Sequence, residues 1–311
     1  MYLVVRDGGG RLVGVCPGFI TESLHIKIYD STPYSDYGGP AIETPYVARA
    51  SFAILDFLRQ LSSSQGLAFA RFLVTEKALA RHLGSPISHT ESNFGVMEIN
   101  LTATPSQFIW SHVFSKNRRQ KFNQMERKGF QVREARTRSD LQVFYNLYLR
   151  NMMHIGARPY PYSLMESIWD TLYPSFVRIW ILENRKPLAA NLYFRYAQKS
   201  FWAYAGIDRN ETLVYPLLNY LIWTETKKAE EEGLLQLSLG STPSDPDSMY
   251  FIQKSSMGSE FHPQTICWHP LSPSGQILIQ MRPFAAFAWK TFRGASPKLL
   301  ERILERKLAS L

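Results

Sequence analysis

Two cysteines, Cys16 and Cys267, are all that the 311 residues contain, and they lie far apart. That leaves neither a disulfide framework nor a zinc site of the usual spacing. His154, His262 and His269 stand isolated, and no His/Cys/Asp/Glu spacing reads as a metal-ligand set. No Gly-x-Ser-x-Gly elbow marks a nucleophilic triad, and Asp245-Pro246-Asp247 lacks the remaining ligands of a calcium loop. No apolar run approaches the roughly 18 residues that cross a bilayer, and no secretory signal opens the chain. A cytoplasmic protein is expected.

What is present is a packed globular composition, 45% hydrophobic and 14% aromatic, in a chain long enough for two cores. The net charge of +9 is concentrated. Lys116 to Arg138 holds nine Lys or Arg against Glu126 and Glu134, a field that attracts phosphates, nucleic acid or anionic lipid unless it is simply a solvated helix face. It lacks the interleaved aromatics of a base-stacking surface.

The order of predicted elements recurs. Strands Tyr2–Arg6 and Leu12–Val15 turn at Asp7-Gly8-Gly9-Gly10. A strand Leu24–Tyr29, a Tyr/Gly-rich loop, a helix from Thr44-Pro45, a strand Leu67–Val74, a short helix and a strand Phe94–Leu101 follow. The same series describes residues 176–268, so two mixed α/β (α+β) units in tandem are expected. The second is preceded by a strand and two helices (residues 130–172) that the first lacks, so the first unit reads as short at its N-terminus. The expected division is 1–103, a basic connecting helix 104–129, 130–270, and a helical tail 271–311.

The chain is organised around Leu234 to Gly258. An apolar strand stops at Gly240, a Ser/Thr/Pro/Asp loop follows, and a short helix carries Lys254 to Gly258. Open α/β sheets bind ligands at such strand ends. Lys254 is the first catalytic candidate, a fixed cation for a phosphate or a developing oxyanion; the alternative is a surface lysine at a turn. Gly240 and Ser241 would offer backbone and hydroxyl groups. Tyr34, Asp36 and Tyr37 share one loop, where Asp36 could accept a proton and Tyr37 assist it; ordinary turn chemistry explains them equally. Gly38 and Gly39 suit a close backbone approach or a positive φ. Arg118 and Arg119 could hold phosphates. Tyr204 ends a strand as a pocket wall or as core.

These segments resemble the Fem-type, FemAB-like transferases, a family of tandem GNAT-type acyltransferase folds. TPYSDYGGP (Thr32–Pro40) looks like the family's tyrosine- and glycine-rich loop. Arg119, ten residues before Gly129, resembles its inter-domain R…G helix, and Lys186-Pro187-Leu188-Ala189-Ala190 its turn into a small-residue strand. Leu239-Gly240-Ser241 with Lys254-Ser255-Ser256-Met257-Gly258 resembles its strand-end glycine and K-x-x-aromatic-G signature. Gln253 and Met257 stand where an aromatic is usual, and Ser238 and Ser241 where Asp and Arg are.

The resemblance implies two GNAT-like domains and transfer of an acyl or aminoacyl group to an amine of a cell-envelope precursor, peptidoglycan or polysaccharide. It implies no tightly bound cofactor, with aminoacyl-tRNA or acyl-CoA as co-substrate. Usual acetyl-CoA binders carry a glycine-rich turn after the central strand, whereas DRNETLVYPLLN after Ile207 has no glycine. That favours aminoacyl-tRNA, drawn by the basic helix. The alternatives are an acetyl-CoA-dependent enzyme acting on an amino sugar and a non-catalytic ligand-binding relative.

Overall fold

The structure, a computed structural model, describes residues 1–32, 35–84, 89–208 and 214–281. By its internal contacts the chain divides into one unit of Met1–Glu91 plus Thr265 onward and another of Ser92–Gln264. A linear division near residues 103 and 270 is what the sequence suggests; instead the first unit is completed by the chain's return after Gln264.

In the first unit β1 (Tyr2–Arg6) and β2 (Leu12–Pro17) form the expected hairpin. A second hairpin, β3 (Phe19–Ser23) with β4 (Ile26–Asp30), replaces the single strand read from the sequence. β5 (Ala41–Ile42) joins the first hairpin, giving a small sheet β1-β2-β5. α1 (Val47–Gln65) then crosses over to β6 (Leu67–Val74), which runs parallel to β4. Buried Ile54, Leu55 and Leu58 face the strands, each worth roughly 1.5–3 kcal/mol of burial. α2 (Lys77–Leu83) closes this core.

The second unit begins within β7 (His89–Asn100). The long helix expected from Thr104 to Gly129 is broken. α3 (Ser106–Phe108) runs on through a wide π turn, Ile109–Val113; Phe114 then goes extended (ψ 126°) and Ser115 starts α4 (Lys116–Arg127) by accepting from the Arg118 N–H at 3.2 Å. β8 (Gln131–Glu134) precedes α5 (Arg138–His154), whose cap is a Thr137/Asp140 box, and α6 (Tyr162–Leu172). β9 (Val177–Asn184), β10 (Lys186–Tyr196) and β11 (Lys199–Ile207) are antiparallel neighbours. α7 (Val214–Glu231) crosses over to β12 (Gln236–Pro243), parallel to β11, so the β-α-β crossover recurs in both units. β12 also pairs antiparallel with β7. α8 (Met249–Ser255) leads to β13 (Glu260–Pro270), which leaves the second unit after Gln264 and from Thr265 pairs antiparallel with β6 in the first.

α7 covers one face of the second unit's strands with Leu217, Leu221 and Ile222, and α5 and α6 cover the other with Phe144, Leu147 and Met165. Inside lies a buried polar group: Glu225 accepts from Ser200 Oγ at 2.7 Å and Trp180 Nε1 at 2.6 Å, with Arg178 Nη1 at 3.5 Å. In the first unit residues 273–281 are helical. Gly275 there lies so close to β6 that a Cβ would stand 1.7 Å from the Ala68 carbonyl oxygen. The basic tail beyond residue 281 lies outside the described residues. Among those described, no helix is long and apolar enough to cross a membrane, and no group of three or more His, Cys, Asp or Glu could hold a metal.

Candidate active site

Parallel pairing of β11 with β12 covers three residues only, Lys199 to Phe201 against Gln236 to Ser238. Beyond them β11 continues on β10 as far as Ile207, and β12 continues on β7 as far as Pro243. The two strands therefore part beyond Phe201 and Ser238 and leave a wedge between them. Both are bulged where they separate. Leu192 faces Tyr204 but Tyr193 faces Trp202, which inserts Ala203 into β11; Ser238 faces Glu98 but Ser241 faces Val96, which inserts a residue into β12. Gly240 takes the positive φ (+76°) of that second bulge. The strand thus continues through Pro243 instead of stopping at Gly240 as expected. In the first unit β4 and β6 stay paired through Asp30–Arg71, with no such opening.

α8 lies along the wedge end and is fixed at three points. Lys254 Nζ donates to the Ser241 carbonyl at 2.6 Å, immediately after the bulge. Gln253 Nε2 donates to Asn219 Oδ1 on α7 at 3.1 Å. Arg118 of α4 donates to the Ser256 carbonyl and, at 2.7 Å, to Ser256 Oγ, with Met257 Sδ at 3.5 Å and the Phe114 ring 5.1 Å away. Burial lowers the Arg118 guanidinium from the usual arginine value. Beside it a hollow of about 220 Å³ is lined by Ser115, Asn117, Arg118, Lys121 and Asn219 among others. It combines a helix N-terminus with two cations, a setting that suits an anion. Trp202 Nε1, at the start of the wedge, is buried without a partner among the described residues.

The predicted residues therefore separate into groups. Lys254, Gly240, Ser241 and Arg118 come together around α8. Arg119 commits one nitrogen to the carbonyls of Trp110, Ser111 and Phe114 at 2.9, 3.1 and 2.7 Å, oxygens that the π turn leaves unpaired. Tyr204 packs in an aromatic group with Tyr148, Tyr160 and Phe194 on the α5 face. Asp36, Tyr37, Gly38 and Gly39 belong to the first unit. There the glycines are explained by packing: a Cβ on Gly38 would stand 1.7 Å from Thr32 Cγ2, and one on Gly39 (φ +86°) 2.0 Å from the Leu73 carbonyl. Tyr34 and the glycine-free turn after Asp208 lie outside the described residues. Asn219 and Trp202 escaped sequence reasoning because nothing in their neighbourhood marks them; Gln253 was visible only as an unusual residue in the lysine motif.

A parallel crossover with splayed, bulged strands fixes the comparison. FemX superposes with a TM-score of 0.67 at 14% identity, covering 90% of each chain. The chain has a Fem-type tandem GNAT fold. L-PGS from Bacillus licheniformis matches at 0.58 and 10% identity over 90% of this chain and 88% of that one. A tandem GNAT protein from the clavulanic acid biosynthesis pathway matches at 0.57 and 11% over 88% and 83%. A GCN5-related N-acetyltransferase from Sphaerobacter thermophilus matches at 0.51 and 10% identity over 88% of this chain and 81% of that one. No protein-family model and no curated protein matches the sequence.

Proposed function

We propose that the second unit transfers an acyl or aminoacyl group to an amine. The observation that carries this is the wedge between β11 and β12, closed at its end by α8 and Lys254. Between strands that part, an extended amide-bearing ligand lies as an added strand would. The arm of an acyl thioester has that character, and its phosphates suit the hollow lined by Arg118 and Lys121. The acceptor amine attacks the acyl carbonyl. The C–N bond forms first and gives a tetrahedral intermediate; the C–S bond then breaks, and the proton lost by the amine ends on the sulfur as thiol. Lys254, held on the Ser241 carbonyl, supplies positive charge to the oxyanion of the tetrahedral intermediate.

N-acetyltransferases among the similar folds support acyl-CoA as donor. The likeness to FemX keeps aminoacyl-tRNA as the second reading, with an amine of an envelope precursor as acceptor in either case. Lys254→Met should cut kcat by about 100- to 1,000-fold, the usual worth of one oxyanion donor, in a protein of unchanged melting temperature. Turnover equal to the parent chain's would overturn the assignment. Turnover with acetyl-CoA but not with charged tRNA selects the donor.

A further inference from the structure

We infer that the chain forms a two-fold dimer through the outer edge of β1, where Tyr2–Arg6 pairs antiparallel with the same strand of a second copy. The inference concerns the first unit and stands apart from the transferase reading. Among the described residues β1 pairs with β2 alone, and it is the end strand of its sheet. The order of elements marks that edge as a place for a strand. β1, then β2 and β3 parted only by Gly18, then β4, α1 and β6 repeat the series β9, β10, β11, α7 and β12. In the second unit β8 lies antiparallel along the outer edge of β9. Along β1 no described strand does so.

The backbone groups of β1 face that way. Met1 and Gly18 exchange both backbone bonds, at 2.8 and 3.0 Å, and bonded pairs alternate along an antiparallel ladder. The N–H and C=O groups of Tyr2, Val4 and Arg6 therefore turn away from β2; Pro17, opposite Tyr2, has no N–H to give in any case. The same three side chains lie on the exposed face, with Tyr2 81% and Val4 54% exposed, while Leu3 is buried in the core. Natural edges are guarded by lysine, proline or a bulge. β1 has no lysine or proline, and the bulge in this hairpin adds its residue, Val13, to β2. A second copy fits because the strand is complementary to itself. With the two-fold axis at Val4, Val4 meets the partner's Val4, Leu3 meets the partner's Val5, and Tyr2 meets the partner's Arg6. The one cation of the strand then lies against an aromatic ring on both sides of the axis. A slip of two residues leaves Arg6 or Tyr2 beyond the pairing, and a slip of one sets the exposed face of one copy beside the core face of the other.

A strand pair this short stands at the low end of interface size, so dissociation on the order of 10–100 µM is expected. The test is sedimentation velocity on the whole chain across and above that range, where the mean coefficient should rise to that of a dimer and stop there. Val4→Lys sets like charges opposite each other on the axis and should weaken association at least about tenfold at unchanged melting temperature. Met153→Lys, at another exposed apolar position in the second unit, should leave it intact. Register is read separately by coupling through a short bismaleimide, for which the buried Cys16 and Cys267 do not compete. Val4→Cys should couple to itself, and Tyr2→Cys only to Arg6→Cys. A chain that stays monomeric at the highest concentration overturns the inference. So do growth past the dimer, association that survives Val4→Lys, and Tyr2→Cys coupling to itself in place of Val4→Cys.

Discussion

Replacing Gly240 by alanine tests the coupling of backbone to chemistry most directly. Gly240 holds φ at +76° in the bulge that separates β12 from β11. An L-residue with a Cβ is disfavoured in that region by about 1–2 kcal/mol, so Gly240→Ala should lower unfolding stability by that amount. In a unit of this size the melting temperature should fall by roughly 2–4 °C for each kcal/mol. Activity should fall much further. The next residue supplies the carbonyl that anchors Lys254 at 2.6 Å, and relaxation of the bulge moves that anchor. A displacement of about 1 Å at a reacting centre costs on the order of 100-fold. Gly240→Asn provides the comparison, because asparagine tolerates positive φ far better than alanine. Urea unfolding and initial-rate turnover on the two variants decide the matter. Full turnover in a folded Gly240→Ala protein would refute the link, as would equal stability loss in the alanine and asparagine variants.

Glu225→Ala removes one of three carboxylates around the nearly buried Arg178, leaving Glu134 and Glu232 in place, and takes the acceptor from Ser200 and Trp180; urea titration should show a loss of about 1–3 kcal/mol for each of the two donors left unpaired, against a smaller one for Glu225→Gln. Gly275→Ala drives a methyl into the Ala68 carbonyl and should destabilise the first unit by about 1–3 kcal/mol, seen as faster amide exchange in β6. His269 is buried, and burial together with the neighbouring Arg59 charge pushes its ring down to about 4 from the usual 6.5. The unfolded chain therefore binds the proton first. Stability is at its full value above pH 6.5 and falls as pH drops toward 4. His269→Gln should flatten that decline in thermal melts, and an unchanged slope would count against it.

The repeat was legible because crossovers leave strong marks: an apolar strand, an amphipathic helix closed by glycine, another apolar strand. Both β4–α1–β6 and β11–α7–β12 were readable for that reason. What was not readable depends on partners distant in sequence. The break at Phe114–Ser115 has no Gly or Pro to announce it, and it appears only when Arg119 collects the carbonyls of the turn before it. β12 looked finished at Gly240 since glycine usually punctuates; pairing with β7 carries it three residues further. Lys254 was legible as a cation near a strand end. Its contact with Ser241 requires the ladder that only the fold supplies. For the glycines of the YGGP loop, the positive φ that the sequence suggested is found at Gly39 (+86°), and close packing against Thr32 and Leu73 adds to it.

The division of β13 also sets an order of events during synthesis. The second unit is continuous in sequence, Ser92–Gln264, and all of its strands are available once Gln264 has emerged. The first unit must wait: β6 lacks its antiparallel neighbour until Thr265–Pro270 arrive, and Gly275 and Ile279 reach its other face later still. Domains generally fold as units while the chain grows. Here the N-terminal residues are made before the second unit and completed after it, so ribosome-bound chains stalled with Gln264 just clear of the exit tunnel should already protect α7 and β10 while β6 remains open to protease.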